Sequence, residues 1–172
     1  MRILIAEDDV DISSIYKRLL ERRGHCVIVT NNGEDCLTVY HQQLDNTRQE
    51  KSKSIYFQPF DMVLLDYKMP KRDGLEVAKE ILAVNPRQRI IFASAFIEES
   101  NIETELNSEV KLLSKPFSNE LLIETVEDQR IYSELEKMGI NTNDIKEANF
   151  SHTQLTQLLE MLRGISSYEA DE

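Results

Sequence analysis

Basic residues are in short supply in this chain. Twenty lysines and arginines stand against 31 aspartates and glutamates, for a formal net charge of -11 over 172 residues. A chain this acidic is repelled by phosphate backbones and anionic lipid, so nucleic acid and membrane are poor partners for it. Cysteine is equally sparse. Cys26 heads the apolar run Cys26-Val27-Ile28-Val29, while Cys36 lies in a helical pattern. With no CxxC and no Cys/His zinc spacing, both read as reduced, packed thiols. Long apolar runs are missing too. None approaches the roughly 18 residues of a membrane span, and Ile3 to Ala6 is too short for a signal peptide before Glu7-Asp8-Asp9 interrupts it. The expectation is a cytoplasmic protein. No internal repeat is evident.

What is present points to one ordinary domain with an appendage. Hydrophobic residues make up 41% of the chain, enough for a proper core. Five short apolar runs read as strands: 2–6, 26–29, 62–65, 89–93 and 110–113. They are continuous rather than alternating, as expected when both faces of a sheet are covered. Between them Ile12, Ile15, Leu19 and Leu20 recur at helical spacing, as do Leu75, Ala78, Ile81 and Leu82. Strands alternating with helices imply βαβ units and a parallel sheet. The predicted fold is therefore doubly wound α/β, with five parallel strands.

Two stretches break the rhythm. Residues 45–58, DNTRQEKSKSIYFQ, are polar and aperiodic, which predicts a surface insertion after the second helix that extends this helix or follows it. Beyond Ser118-Asn119 a helix runs through Leu121, Leu122, Val126, Ile131, Leu135 and Met138 to a stop at Gly139. A second helix is predicted from Ser151 to Arg163. Ser151 and Gln154 make a capping box, Leu155, Leu158, Leu159 and Leu162 a stripe, and Gly164 an end.

Ligands of parallel α/β sheets bind beyond the carboxyl ends of the strands. The residues leaving those ends are Glu7-Asp8-Asp9, Asp66, Ser94-Ala95 and Ser114-Lys115-Pro116-Phe117. Three or more carboxylates, a hydroxyl and a lysine would thus converge. Two carboxylates about 4 Å apart repel by roughly 4 kcal/mol at an effective dielectric of 20. A divalent cation relieves that cost, and hard oxygen ligands suit Mg2+. A carboxylate in such a place is also a nucleophile able to take a phosphoryl group, with Lys115 neutralising the new charge. The histidines, His25, His41 and His152, share no spacing with these groups and read as surface or packing residues.

The motifs ILIAEDD, VLLDYKMPKRDG, IIFASA and LLSKPF, in this order on these strands, resemble the receiver domain of two-component response regulators. The resemblance covers residues 1 to 128 and implies the flavodoxin-like strand order 2-1-3-4-5. By it, Asp66 is the phosphoacceptor, charged by a sensor histidine kinase or a phosphotransfer protein. Asp8 and Asp66 bind Mg2+ directly, Glu7 through water, and Lys68 through its backbone carbonyl. Ser94 bonds the phosphoryl group, Lys115 pairs with the aspartate or phosphate, and Lys115-Pro116 is cis. Such a protein is a phosphoacceptor that slowly hydrolyses its own aspartyl phosphate rather than an enzyme, and its output is a change in protein–protein interaction.

Some positions depart from the family pattern. Leu112 stands where many receivers carry a switching aromatic ring, and Lys71 where glycine is frequent. Phe96 is bulky near the expected path of attacking water, which predicts a long-lived phosphate, and the switching element falls to residues 95–107. Residues 129–172 form a helical extension, and from Glu127 onward ten acidic residues face four basic ones. The leucine stripe either packs against the receiver or pairs with a second copy to form a dimer. A transcriptional regulator using these helices on DNA is the alternative output, although Arg163 is the one base the last helix offers. A phosphatase is the third reading, but Lys68 occupies the second position of the Asp-x-Asp signature.

Overall fold

The computed structural model describes residues 1–50, 58–95, 106 and 110–169. Five strands form the sheet: β1 (Arg2–Ala6), β2 (Cys26–Thr30), β3 (Met62–Leu65), β4 (Ile90–Ser94) and β5 (Val110–Ser114). All pairings are parallel and the order is β2-β1-β3-β4-β5. The helices are α1 (Val10–Arg22), α2 (Gly33–Glu50), α3 (Gly74–Val84), α4 (Asn119–Lys137), α5 (Asn143–Glu147) and α6 (His152–Glu169). The predicted strands thus stand, with β4 one residue later and with β2 and β5 each one residue longer.

The strand order decides where a site can form. From β1 the chain steps outward to β2, then crosses back over β1 to reach β3. Right-handed crossovers in opposite directions place α1 on one face and α2 and α3 on the other. β1 and β3 are adjacent at this reversal, so their carboxyl ends bound a crevice free of crossing connections. Register makes the juxtaposition concrete. Ala6 lies opposite Leu65, so the next residues, Glu7 and Asp66, leave the sheet side by side.

Alternation along the strands divides the core. Leu4, Ala6, Val63, Leu65, Ile90 and Phe92 face α2 and α3, where Cys36, Leu37, Tyr40, Val77, Ala78 and Ile81 meet them. Ile3 and Ile5 point the other way and are equally inaccessible. Burial pushes the Cys36 thiol up to about 12, consistent with a packed, inert group. Cys26 departs from the expectation: it is exposed at the start of an edge strand.

Where the polar insertion was expected, α2 continues to Glu50, so residues 45–50 of that stretch extend the helix. Residues 51–57 of the expected insertion lie outside the described residues, as do Phe96 and most of the 95–107 segment. The chain divides into two compact units, Met1–Phe117 and Ser118–Glu172. In the second, Leu155 and Leu159 of the predicted stripe are buried with Ile131, Tyr132 and Leu135 of α4. Ser118 caps α4 by accepting from the Leu121 N–H, and Gly139 follows its end at φ +81°. The capping box forms too: the Ser151 N–H donates to Gln154 Oε1 at 2.9 Å and the Gln154 N–H to Ser151 Oγ at 3.4 Å. Gly164, however, does not end α6, which runs on to Glu169. Glycine costs only about 1 kcal/mol in a helix interior, too little to stop one whose preceding turns are anchored in a core. No described helix is long and apolar enough to cross a membrane.

Candidate functional site

Backbone hydrogen bonds set the acidic residues in place before any side chain acts. The Glu7 N–H donates to Thr30 O at 3.1 Å and the Asp66 N–H to Ala6 O at 2.8 Å, so both residues extend the sheet by one pairing. Asp9 then accepts from the N–H groups of Asp11 and Ile12 and starts α1. Asp73 does the same for α3 through the Glu76 N–H. These two carboxylates are helix caps, the modest role that their positions allow. Gly74 closes the turn after Asp66. Its N–H donates to Tyr67 O at 2.9 Å, and a Cβ at Gly74 would stand 2.2 Å from the Asp66 carbonyl oxygen. Only glycine permits this approach.

Carboxylate oxygens of Glu7, Asp8 and Asp66 lie within 4.8 Å of one another. They differ in solvation: Glu7 is buried, Asp66 half-buried and Asp8 exposed. Lys115 reaches in from the end of β5, with Nζ 2.6 Å from Glu7 Oε2 and 3.5 Å from Asp66 Oδ1. Its N–H donates to Ser94 O at 2.8 Å. The Lys115-Pro116 bond is cis, as the resemblance implied. Burial raises both the Glu7 and the Asp66 carboxyl above their ordinary values, and Lys115 opposes each shift without cancelling it. A group of hard oxygens this close, two of them held against their own burial, fits a small divalent cation.

Of the residues singled out by sequence, Glu7, Asp8, Asp66 and Lys115 come together. Ser94 is buried at the tip of β4 opposite Ser114, and Lys68 is exposed in the turn after Asp66. Lys71 adopts φ +69°, the left-handed conformation in which glycine is favoured. Its Nζ pairs with Glu34 at 3.2 Å and Asp35 at 3.6 Å, contacts a glycine would lack. Leu112 sits half-buried in β5 against the core. Sequence reading missed Tyr16. It is 7% exposed, whereas Ile15, one of the apolar residues read at helical spacing, is 43% exposed. The signal was there in the spacing of Ile12, Tyr16 and Leu20, each one helical turn from the next.

Residues 3–127 match the response regulator receiver domain. The chain belongs to that family. It is 30% identical over 131 residues to the response regulator receiver protein CpdR of Brucella abortus, covering 76% of this chain and 97% of that one. It is 31% identical to the transcriptional regulatory protein ZraR of Salmonella typhimurium, over 73% of this chain but only 25% of ZraR. Among solved structures, the response regulator TrrA of Thermotoga maritima, in complex with Mg(2+)-BeF, is 26% identical with a TM-score of 0.57. The match covers 74% of this chain and 97% of that one. The chain thus contains the receiver domain of a two-component response regulator. Receiver domains are phosphoacceptors rather than classical enzymes, and they bind Mg2+ at an acidic pocket. They interact with histidine kinases or phosphotransfer proteins.

Proposed function

We propose that Asp66 accepts a phosphoryl group from a histidine kinase or phosphotransfer protein and that the receiver spans residues 1–128. One observation carries the assignment. Of the two strand-tip carboxylates in the cluster, Glu7 is buried and held by Lys115 at 2.6 Å. Asp66 is half-buried with Lys115 at 3.5 Å, which leaves Asp66 the accessible nucleophile. In the transfer a carboxylate oxygen of Asp66 attacks the phosphorus and an O–P bond forms. The P–N bond to the donor histidine breaks, and the electron pair stays on the imidazole nitrogen. The rigid tip of β3 holds the nucleophile for in-line approach. Lys115 and the Ser94 hydroxyl meet the charge on the phosphoryl oxygens.

Asp8 and Asp66, with the Lys68 backbone carbonyl, would hold Mg2+, and Glu7 would reach it through a water. Bound there, the cation supplies charge neutralisation for the phosphoryl oxygens. The closer approach of Lys115 to Glu7 than to Asp66 belongs to the resting state. A phosphoryl group on Asp66 competes with Glu7 for the lysine, so modification redistributes the charges of the cleft. The same groups carry out slow hydrolysis of the aspartyl phosphate.

The output we infer is a switched protein–protein contact, with residues 129–172 as a helical extension of the receiver. The acidic balance of the extension supports this over DNA binding. The lone base of α6, Arg163, is also engaged by Glu134, which leaves it poorly placed for phosphate contacts. The match to the transcriptional regulatory protein ZraR, although it covers only 25% of that protein, keeps the DNA-binding reading as the competitor, and a gel shift at low salt separates the two. The central test is incubation with acetyl phosphate and Mg2+, followed by intact mass. One phosphoryl adduct, absent in Asp66→Asn, is expected. An adduct that survives this substitution would sink the assignment.

A further inference from the structure

We propose that Tyr16 is a positioning residue for Lys115, acting through the stack of its ring on Phe117. The inference rests on the reading of Asp66 as the phosphoacceptor. Lysine is a flexible side chain, so where its ammonium stands depends on the backbone that carries it. On the sheet side that backbone is fixed, because the Lys115 N–H donates to Ser94 O at 2.8 Å. On the other side the chain leaves β5, and Phe117 is two residues on. Its ring centroid lies 5.7 Å from that of Tyr16, with the planes 23° apart. That is the geometry of an offset aromatic pair.

Tyr16 lies on α1, the helix capped by Asp9 immediately after Glu7 and Asp8. The stack therefore joins the helix that begins at the acidic turn to the segment that carries the lysine. Glu7 is held by its own pairing to β2, so the contact bears on the 2.6 Å Lys115–Glu7 pair from the lysine side. The phenol hydroxyl plays no part. Burial, then the charges of Glu7, Asp66 and Asp9, push it well above its ordinary value, so it stays neutral beside the site. A leucine would fill much of the volume but could not lie flat on Phe117.

The test compares Tyr16→Phe, Tyr16→Leu and Phe117→Leu in the full chain, alone and combined with Lys115→Ala. The readouts are the rate of phosphorylation by acetyl phosphate at saturating Mg2+ and the Mg2+ affinity from thermal shift. Tyr16→Phe is expected to match the parent. Tyr16→Leu and Phe117→Leu are each expected to slow phosphorylation about tenfold, with Mg2+ affinity unchanged because Asp8 and Asp66 keep their places. In the Lys115→Ala background neither leucine substitution should slow the reaction further. A parental rate in both leucine variants, an equal slowing without Lys115, or a matching loss of Mg2+ affinity would each overturn the proposal. If Tyr16→Leu does not fold, the Phe117→Leu cycle decides alone. Failure of the Asp66 reading is separately visible, as a parent that takes no phosphoryl group or an Asp66→Asn variant that does.

Discussion

Lys115 cannot serve Glu7 and Asp66 equally from where it stands, and the consequence is measurable at single residues. At 3.5 Å it relieves Asp66 less than burial penalises it, so the carboxyl stays above its ordinary value of 3.8. A carboxylate whose pKa is raised on folding contributes stability at low pH and loses it as pH rises through the folded value. Asp66→Asn removes that loss while leaving the Lys115–Glu7 pair intact. The metal-free variant is expected to melt a few degrees above the parent at pH 7, and the gap should narrow as pH falls toward 4. A lower melting temperature for the variant at pH 7 would contradict the electrostatics. Mg2+ would offset the same buried charge, so it should raise the melting temperature of the parent. Asp8→Ala is expected to abolish that rise in a Mg2+ titration, because Asp8 is the most exposed and least committed of the three carboxylates.

Elements explain both what sequence disclosed and what it hid. β1 and β3 were legible because continuous apolar runs end abruptly in carboxylates, and strand order turns those ends into neighbours. α5 was not legible: five residues with Ile145 as their sole large apolar side chain carry no period to read. Tyr16 was obscured because α1 offers Ile12, Ile15, Leu19 and Leu20 as an apolar set, and only packing reveals that Ile15 faces outward. In the sequence Gly74 is only the last residue of the motif VLLDYKMPKRDG, yet its role is steric. Inside a helix alanine is ordinarily favoured over glycine by about 0.5–1 kcal/mol. At Gly74 its Cβ would meet the Asp66 carbonyl oxygen at 2.2 Å and the Phe92 ring at 3.1 Å. Gly74→Ala is therefore expected to destabilise the fold, by about 1–3 kcal/mol in denaturant melts, and to slow phosphorylation by displacing Asp66. Gln88 shows the same dependence at the opposite end of the sheet. Fully buried, its amide nitrogen donates to Phe60 O and Arg89 O while its Oε1 accepts from the Tyr40 hydroxyl at 2.9 Å. Gln88→Leu would orphan these groups at an expected cost of about 2–4 kcal/mol, with the phosphorylation rate unchanged in the folded fraction.

At the scale of the whole molecule, the question is what the C-terminal helices add to a receiver. The second unit has an apolar core of its own. Leu155 and Leu159 are buried with Ile131, Tyr132 and Leu135, and Ile140, Ile145 and Phe150 line the same cluster. Polar contacts bracket this core, with a hydrogen bond of 2.6 Å between His152 Nδ1 and Asp128 Oδ1 at one end of α6 and the Arg163–Glu134 ion pair farther along it. A stripe occupied within its own chain has little left to offer a second copy, so the dimer contemplated from sequence loses its main motive. The full chain is expected to be monomeric by light scattering, with and without beryllofluoride and Mg2+. Truncation after Gly139 tests the same point from the other side. It keeps α4 whole but removes α5 and α6, uncovering Ile131, Tyr132 and Leu135. Apolar surface exposed in this way drives association and dye binding. The truncated chain is expected to bind a hydrophobic fluorophore and self-associate, while still taking a phosphoryl group on Asp66. A full-length dimer that the truncation converts to a well-behaved monomer would reverse the argument, making α6 an intermolecular element.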